Sequence, residues 1–198
     1  MEIKGITDSY TNYRWFYTST GKLVVGGRSA IQNDELLKRL KETGKDFIVM
    51  HTHAPGSPFT VILAEKTKIN SQDIEETAIF TGCFSRAWRE AKKTTIVDIF
   101  SLSQLAKARH MKIGTWGVKG VIEQRTVPLE LALIKQKGIL RAVPEITLKK
   151  KKDILFKIQP GKTDKAAIAL KLQVELPNDL KQEELLTALP TGGFAILR

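Results

Sequence analysis

The chain has one cysteine, Cys83, among its 198 residues. That excludes an internal disulfide framework and any cysteine-rich zinc site. Long apolar runs are also missing. The longest stretch without Asp, Glu, Lys or Arg, residues 47–64, holds two His, two Pro and a Gly, and is not a membrane-spanning helix. The opening Met1-Glu2-Ile3-Lys4 lacks the basic-then-apolar plan of a signal peptide. No internal repeat is present, and the only low-complexity tract is Lys149-Lys150-Lys151-Lys152. A soluble cytoplasmic protein with no membrane partner is expected.

Acidic residues are the scarcer charge. Thirty-two Lys and Arg against 21 Asp and Glu give a net charge of +11. A basic excess favours a phosphate-rich partner, because each cation placed near a phosphate releases condensed counterions. The cations are clustered: residues 86–119 hold eight Lys/Arg against two acids, and residues 135–152 hold seven against one. Hydrophobic residues make up 42% and charged residues 27%, a globular balance that suits one medium domain, or a domain plus an extension.

Local patterns predict an α+β fold: a mostly antiparallel sheet packed by a long helix, with a small C-terminal α/β appendage. Residues 13–19 and 22–25 read as a hairpin, stopped by Gly26-Gly27. Asn33-Asp34-Glu35 reads as a helix start, and Leu36, Leu37 and Leu40 follow at helical spacing up to Gly44. Residues 46–50 and 59–64 read as buried strands around a turn-rich loop, His51-Thr-His-Ala-Pro-Gly-Ser-Pro58. Asn70 opens the longest predicted helix, reaching about Lys92, with Gly82 and Ser85 small enough for another segment to approach. Then come a strand at 94–100, a short helix at 102–108 and a Gly-broken hairpin at 115–127, giving one layer of helices on the sheet. Residues 1–134 form the main domain on this reading. Residues 135–198 form a βααβ-like extension of unassigned role, with strands at 138–143 and 154–158, helices at 163–176 and 179–189, and a closing strand at 191–197.

Several motifs fail on their chemistry. Pro160-Gly161-Lys162-Thr163 resembles the end of a nucleotide-binding loop, but the glycine that the phosphate cradle needs five residues earlier is Phe156. A turn followed by a helix start is expected there. His51 and His53 share one strand face if the strand continues through both, yet a zinc site needs a third ligand, and only His110 and scattered carboxylates are on offer. No metal or other cofactor is expected. Cys83 sits in an apolar helical setting, where a thiol is buried and inert.

The binding signals are stronger. Arg14-Trp15-Phe16 places a cation beside large aromatics, with Arg14 and Phe16 on one strand face and Trp15 on the other, facing the core. In Gly26-Gly27-Arg28, paired glycines permit a close backbone approach and the Arg that follows holds a phosphate bidentately. Arg86, Arg89, Lys92 and Lys93 fall at a helix end, where the helix dipole alone favours cations. Lys107, Arg109, His110, Lys112 and Lys119 surround a Gly-bearing loop and are the best candidates for phosphate contact.

Arg14-Trp15-Phe16, Gly21, Val24, Gly26-Gly27-Arg28 and Asn33 resemble the opening signature of the NFACT-R family. Asp46, His51, Gly56-Ser57, Ser85-x-Ala87-Trp88, Val97-Asp98 and the Gly114-Thr-Trp-Gly-Val-Lys-Gly120 segment continue the match, over about residues 12–128. The resemblance implies an RNA-binding module related to the tailing factors of ribosome-associated quality control, which bind the large ribosomal subunit and tRNA. The chain is expected to be a stand-alone archaeal form. It is expected to lack the N-terminal domain and coiled coil of the full-length factors, so peptide tailing is not carried over. His53 stands where some larger relatives have an acid, and Pro55 and Pro58 mark a divergent loop.

The resulting expectation is a non-enzymatic protein that binds structured RNA, tRNA or rRNA. Arg14, Gly26, Gly27, Arg28, His51, Lys107, Arg109, Lys112 and Lys119 form the expected RNA face. Two other classes stay open: a metal-dependent RNA-processing or modifying enzyme using His51, His53 and an acid, and a ribosome-bound adaptor whose extension docks a protein partner.

Overall fold

The computed structural model describes residues 3–120, 123–148, 150–175 and 181–197. Residue 149 of the four-lysine run, residues 121–122 of the expected 115–127 hairpin, and the 176 and 179 ends of the two expected C-terminal helices lie outside them.

A short helix, α1 (Lys4–Thr7), precedes the hairpin of β1 (Arg14–Tyr17) and β2 (Leu23–Gly26). Helix α2 (Ala30–Glu42) leads to β3 (Ile48–Thr52) and β4 (Thr60–Ile62), then α3 (Ser71–Cys83) and the single turn α4 (Arg86–Arg89) lead to β5 (Thr94–Ser101). A two-stranded ladder joins β6 (Leu105–Ala106) to β7 (Gly117–Val118) before β8 (Glu123–Pro128) returns to the main sheet. The remaining elements are β9 (Leu131–Gln136), β10 (Ile139–Val143), β11 (Phe156–Thr163), α5 (Lys165–Glu175), α6 (Gln182–Ala188) and β12 (Phe194–Leu197). The main sheet runs β1-β2-β4-β3-β5-β8 and the second β10-β9-β11-β12, every pair antiparallel. The fold is α+β, as expected.

The main sheet is covered on both faces, not by one helical layer. Successive strand side chains point to opposite faces, and both sets are buried. Trp15, Val25, Val49 and Val61 pack under Leu36, Leu37 and Leu40 of α2, whereas Phe16, Val24, Met50 and Ile62 pack under Ala78, Phe80 and Cys83 of α3. Two-sided burial explains why these strands read as continuous apolar runs. Each such side chain contributes about 1.5–3 kcal/mol relative to exposure. The α3 layer continues through Trp88 into the second sheet, whose Leu131, Leu133, Ile158 and Phe194 belong to the same core. Trp88 Nε1 donates to the Gly193 carbonyl at 3.0 Å, tying α4 to the turn that enters β12.

Four local readings change. Helix α2 starts three residues early, capped by Ser29, whose side chain accepts from the Gln32 N–H; Asn33 and Asp34 lie inside it, buried. The helix opened by Asn70 stops at Cys83, because the Ser85 hydroxyl caps a new turn by accepting from the Ala87 N–H at 3.1 Å. Gly82 does permit a close approach, since a Cβ there would meet Val127 and Thr95 side chains at 2.8 and 2.9 Å. Residues 102–108 form a 3-10 turn (Leu102–Gln104) and β6 rather than a helix, and β7 pairs with β6 instead of forming a hairpin with β8. Pro160 to Thr163 lie within β11 across a register irregularity, and α5 begins only at Lys165.

Among the described residues no helix is long and apolar enough to cross a membrane.

Candidate nucleic-acid interface

Where β1 begins and β2 and β3 end, an open cleft of about 540 Å³ lies between the start of α2, the 51–59 loop and the 113–118 segment. Its lining brings together Arg14, Gly27, Arg28 and His51, four of the residues singled out from sequence.

Arg14 leaves β1 and lays its guanidinium over the Phe84 ring, 5.1 Å from the centroid. Its Nε is buried without a hydrogen-bond partner among the described residues. Burial, reinforced by the neighbouring Arg28 cation, pulls its pKa down to about 10. Arg28 uses one edge of its fork internally: Nε donates to the Asn12 carbonyl and Nη2 to the Tyr13 carbonyl, both at 3.1 Å. Those bonds fix the plane of the guanidinium and leave its Nη1–Nη2 edge for an outside acceptor. Partial burial lowers this group's pKa as well.

The two glycines serve packing that polar ligand contact alone would not require. A Cβ on Gly27 would lie 2.2 Å from Asn33 Oδ1, and one on Gly26 would lie 2.9 Å from the Thr60 methyl. Asn33 Oδ1 in turn accepts from the Phe59 N–H at 3.1 Å. The helix start and the 51–59 loop are held together through that bond.

His51 packs against Phe59, with ring centroids 4.5 Å apart. Its Nδ1 lies 2.7 Å from the Thr52 carbonyl. A carbonyl only accepts, so Nδ1 carries the proton and Nε2 is left as an acceptor. Burial lowers the imidazole pKa, which keeps the ring neutral at pH 7. His53 is exposed and sits 3.1 Å from Asp98 Oδ2, while Gln124 donates to Asp98 Oδ1 at 2.7 Å. Among the described residues no three His, Cys, Asp or Glu side chains form a metal-binding group.

The 107–118 loop is held from beneath. Asp34, on α2, accepts from Trp116 Nε1 at 2.8 Å and from the Gly114 N–H at 3.0 Å, and pairs with Lys107 at 2.9 Å. Despite burial, these donors and the Lys107 charge hold its carboxyl below the usual range. Lys107 also donates to the Lys112 and Thr115 carbonyls, at 2.7 and 2.9 Å. All three of its ammonium donors are thereby engaged, so Lys107 positions the loop. Arg109 and Lys112 are exposed on that loop, and Lys119 is exposed just after β7. Ile113 is 64% exposed at the rim of the cleft.

Sequence reasoning missed Asp34 as the loop anchor, since a carboxylate at an apparent helix start invites a capping role. It also missed Phe84 as the platform under Arg14, because α3 was expected to run through it.

A family model described as the NFACT protein RNA binding domain matches residues 12–120. The archaeal Rqc2 homolog aRqcH of Methanocaldococcus jannaschii is 31% identical over 200 residues, covering 96% of this chain and 29% of that protein. The chain therefore spans less than a third of the length of that curated relative. In structure, the C-terminal part of the fibronectin/fibrinogen-binding protein from Streptococcus suis matches 59% of this chain and 44% of that one, at 21% identity and a TM-score of 0.49.

Proposed function

The chain belongs to the NFACT-R family of RNA-binding domains, and on that premise we propose that its cleft binds structured RNA, tRNA or rRNA, in cytoplasmic ribosome-associated quality control or a related step of translation, without carrying out chemistry on it. The observation that carries this reading is the Nη1–Nη2 edge of Arg28, which has no second acceptor among the described residues and is pre-oriented by two backbone carbonyls beside Arg14 in an open cleft. A planar fork with one edge already fixed suits a phosphate, which accepts two parallel hydrogen bonds. His51 adds a neutral acceptor for a ribose hydroxyl, the group that separates RNA from DNA. Arg109, Lys112 and Lys119 extend the positive surface along the loop that Lys107 and Asp34 hold in place. The large ribosomal subunit is the partner this reading favours.

The test is crosslinking in cells followed by sequencing of the attached RNA, with Arg28→Glu as control. Intact tRNA or large-subunit rRNA, recovered with the parent chain and lost with the variant, is the expected result. A folded, expressed protein that carries no RNA, or RNA cut at the crosslink, overturns it.

A further inference from the structure

Behind Arg14 a second, narrow recess opens, lined by Arg14, Arg28 and Arg141 with Trp15, Phe84 and Ala188. With about 10 Å³ of space it admits roughly one water, so a larger group would cap its mouth rather than enter. Arg141 comes from β10 and is only 6% exposed. Its guanidinium lies over the Trp15 ring, 4.8 Å from the centroid, and its Nε donates to the Leu140 carbonyl. Lys165, at the start of α5, donates to the Leu189 carbonyl at 2.9 Å, next to Ala188 of the recess wall. Lys165 is repelled by both Arg14 and Arg28, and burial with that repulsion pulls it down to about 8. Arg141 is drawn down to about 10 by burial and by Arg28, with Glu184 acting in the opposite sense.

Four cations from four separate segments thus converge, and among the described residues none is ion-paired to a carboxylate. Arg141 is buried, Arg14 and Lys165 are half-buried and Arg28 is exposed, and crowding like charges where burial limits their hydration is unfavourable unless an anion compensates them. The cation–π contact of Arg141 and the carbonyl partners of Arg28 and Lys165 satisfy individual donors without neutralising the cluster. Arg14 and Arg28 line both this recess and the large cleft, so an anion here would be contiguous with a strand lying in the cleft.

We infer that Arg14, Arg28, Arg141 and Lys165 form a binding locus for a phosphate group, a phosphodiester of the RNA strand that occupies the cleft. The segment after residue 134 thereby completes the RNA surface through Arg141 and Lys165. This rests on the RNA-binding reading above for the source of the phosphate, but not for the locus itself.

The experiment compares the full chain with Arg141→Met, which keeps bulk over Trp15, and Lys165→Gln. Labelled tRNA is titrated across a range of salt, and thermal unfolding is followed in phosphate and in chloride at equal ionic strength. Each variant is expected to bind tRNA roughly five- to ten-fold more weakly, with a log–log salt slope shallower by about one. Arg141→Met is also expected to unfold at a higher temperature in chloride, because like-charge repulsion is relieved, and to lose the extra stabilisation by phosphate expected of the parent. Lower melting of Arg141→Met with unchanged tRNA affinity and slope would make Arg141 a packing residue and overturn the locus, while leaving RNA binding intact. A parent that ignores tRNA but gains stability in phosphate, with that gain lost in both variants, keeps the locus and rejects the RNA source. A parent with neither response rejects both.

Discussion

Asp34 and Lys107, 73 residues apart in sequence, form an ion pair of 2.9 Å in which the side chains are only 8% and 18% exposed. The pair lies under the basic 107–118 loop and ties it to α2. Breaking one partner of a buried pair leaves an uncompensated charge, whereas removing both does not. Lys107→Met is therefore expected to cost about 2–4 kcal/mol of stability. The Asp34→Asn/Lys107→Met double variant should cost less than the sum of the two single changes. Urea unfolding of all four proteins measures the coupling; strict additivity would mean that the pair contributes nothing.

Gly27 and Asn33 give a second, steric test. A methyl on Gly27 would sit 2.2 Å from Asn33 Oδ1 and 2.8 Å from its backbone nitrogen, and that backbone belongs to α2 and cannot rotate away. On Gly26 the nearest atom is a Thr60 methyl at 2.9 Å, followed by Pro58 Cβ at 3.2 Å. Gly27→Ala is expected to destabilise by about 2–3 kcal/mol and Gly26→Ala by about 1–2 kcal/mol, the range for overpacking in a tight site. Equal midpoints in a urea titration would show that the Asn33 contact relaxes freely.

These cases show where local reading succeeds and where it stops. The hairpin of β1 and β2 was legible because aromatic and β-branched residues run between glycine signals, β5 because β-branched residues dominate it, and the size of the Trp15 ring put it in the core. The start of α2 was misplaced because Asn33 and Asp34 are good capping residues, and no local rule reveals that one bonds Phe59 and the other anchors a distant loop. In the cleft, Arg14, Arg28 and His51 were legible from their neighbours: an aromatic strand, paired glycines and a turn-rich loop. Arg141 and Lys165 were not, since only the path of β10 and α5 against α6 brings them to Trp15 and Arg28.

His51 predicts a pH dependence of stability. Burial holds its folded pKa below the ordinary value near 6.5. As pH falls below about 6.5, the unfolded chain takes up the proton first, so stability declines from there down through the folded pKa. Above that range both states are neutral and the imidazole contributes no slope. Asp34, Asp46 and Asp73 have lowered folded pKa values, and their stabilisation is lost only at more acidic pH, as they protonate below the ordinary carboxylate range. Stability measured between pH 5.5 and 7.5 should therefore rise with pH in the parent and rise less in His51→Gln. Parallel curves would mean that another group sets the slope.

Arg28 separates charge from geometry. If the RNA surface neutralises about five phosphates, affinity falls with salt at a log–log slope of about −3.5 to −4.5. Arg28→Glu reverses one charge at the centre of that surface and should weaken binding most and flatten the slope. Arg28→Lys keeps the charge, yet an ammonium on a single stem cannot hold the Asn12 and Tyr13 carbonyls with one edge while presenting a second edge to a phosphate. Its affinity should drop by roughly ten-fold, on the scale of one lost bidentate contact, while the salt slope stays close to that of the parent. Anisotropy titrations with tRNA at several salt concentrations read both quantities at once. A lysine variant that binds as tightly as the parent would reduce Arg28 to a point charge and remove the oriented fork from the account, even if the slope still shows that phosphates are bound.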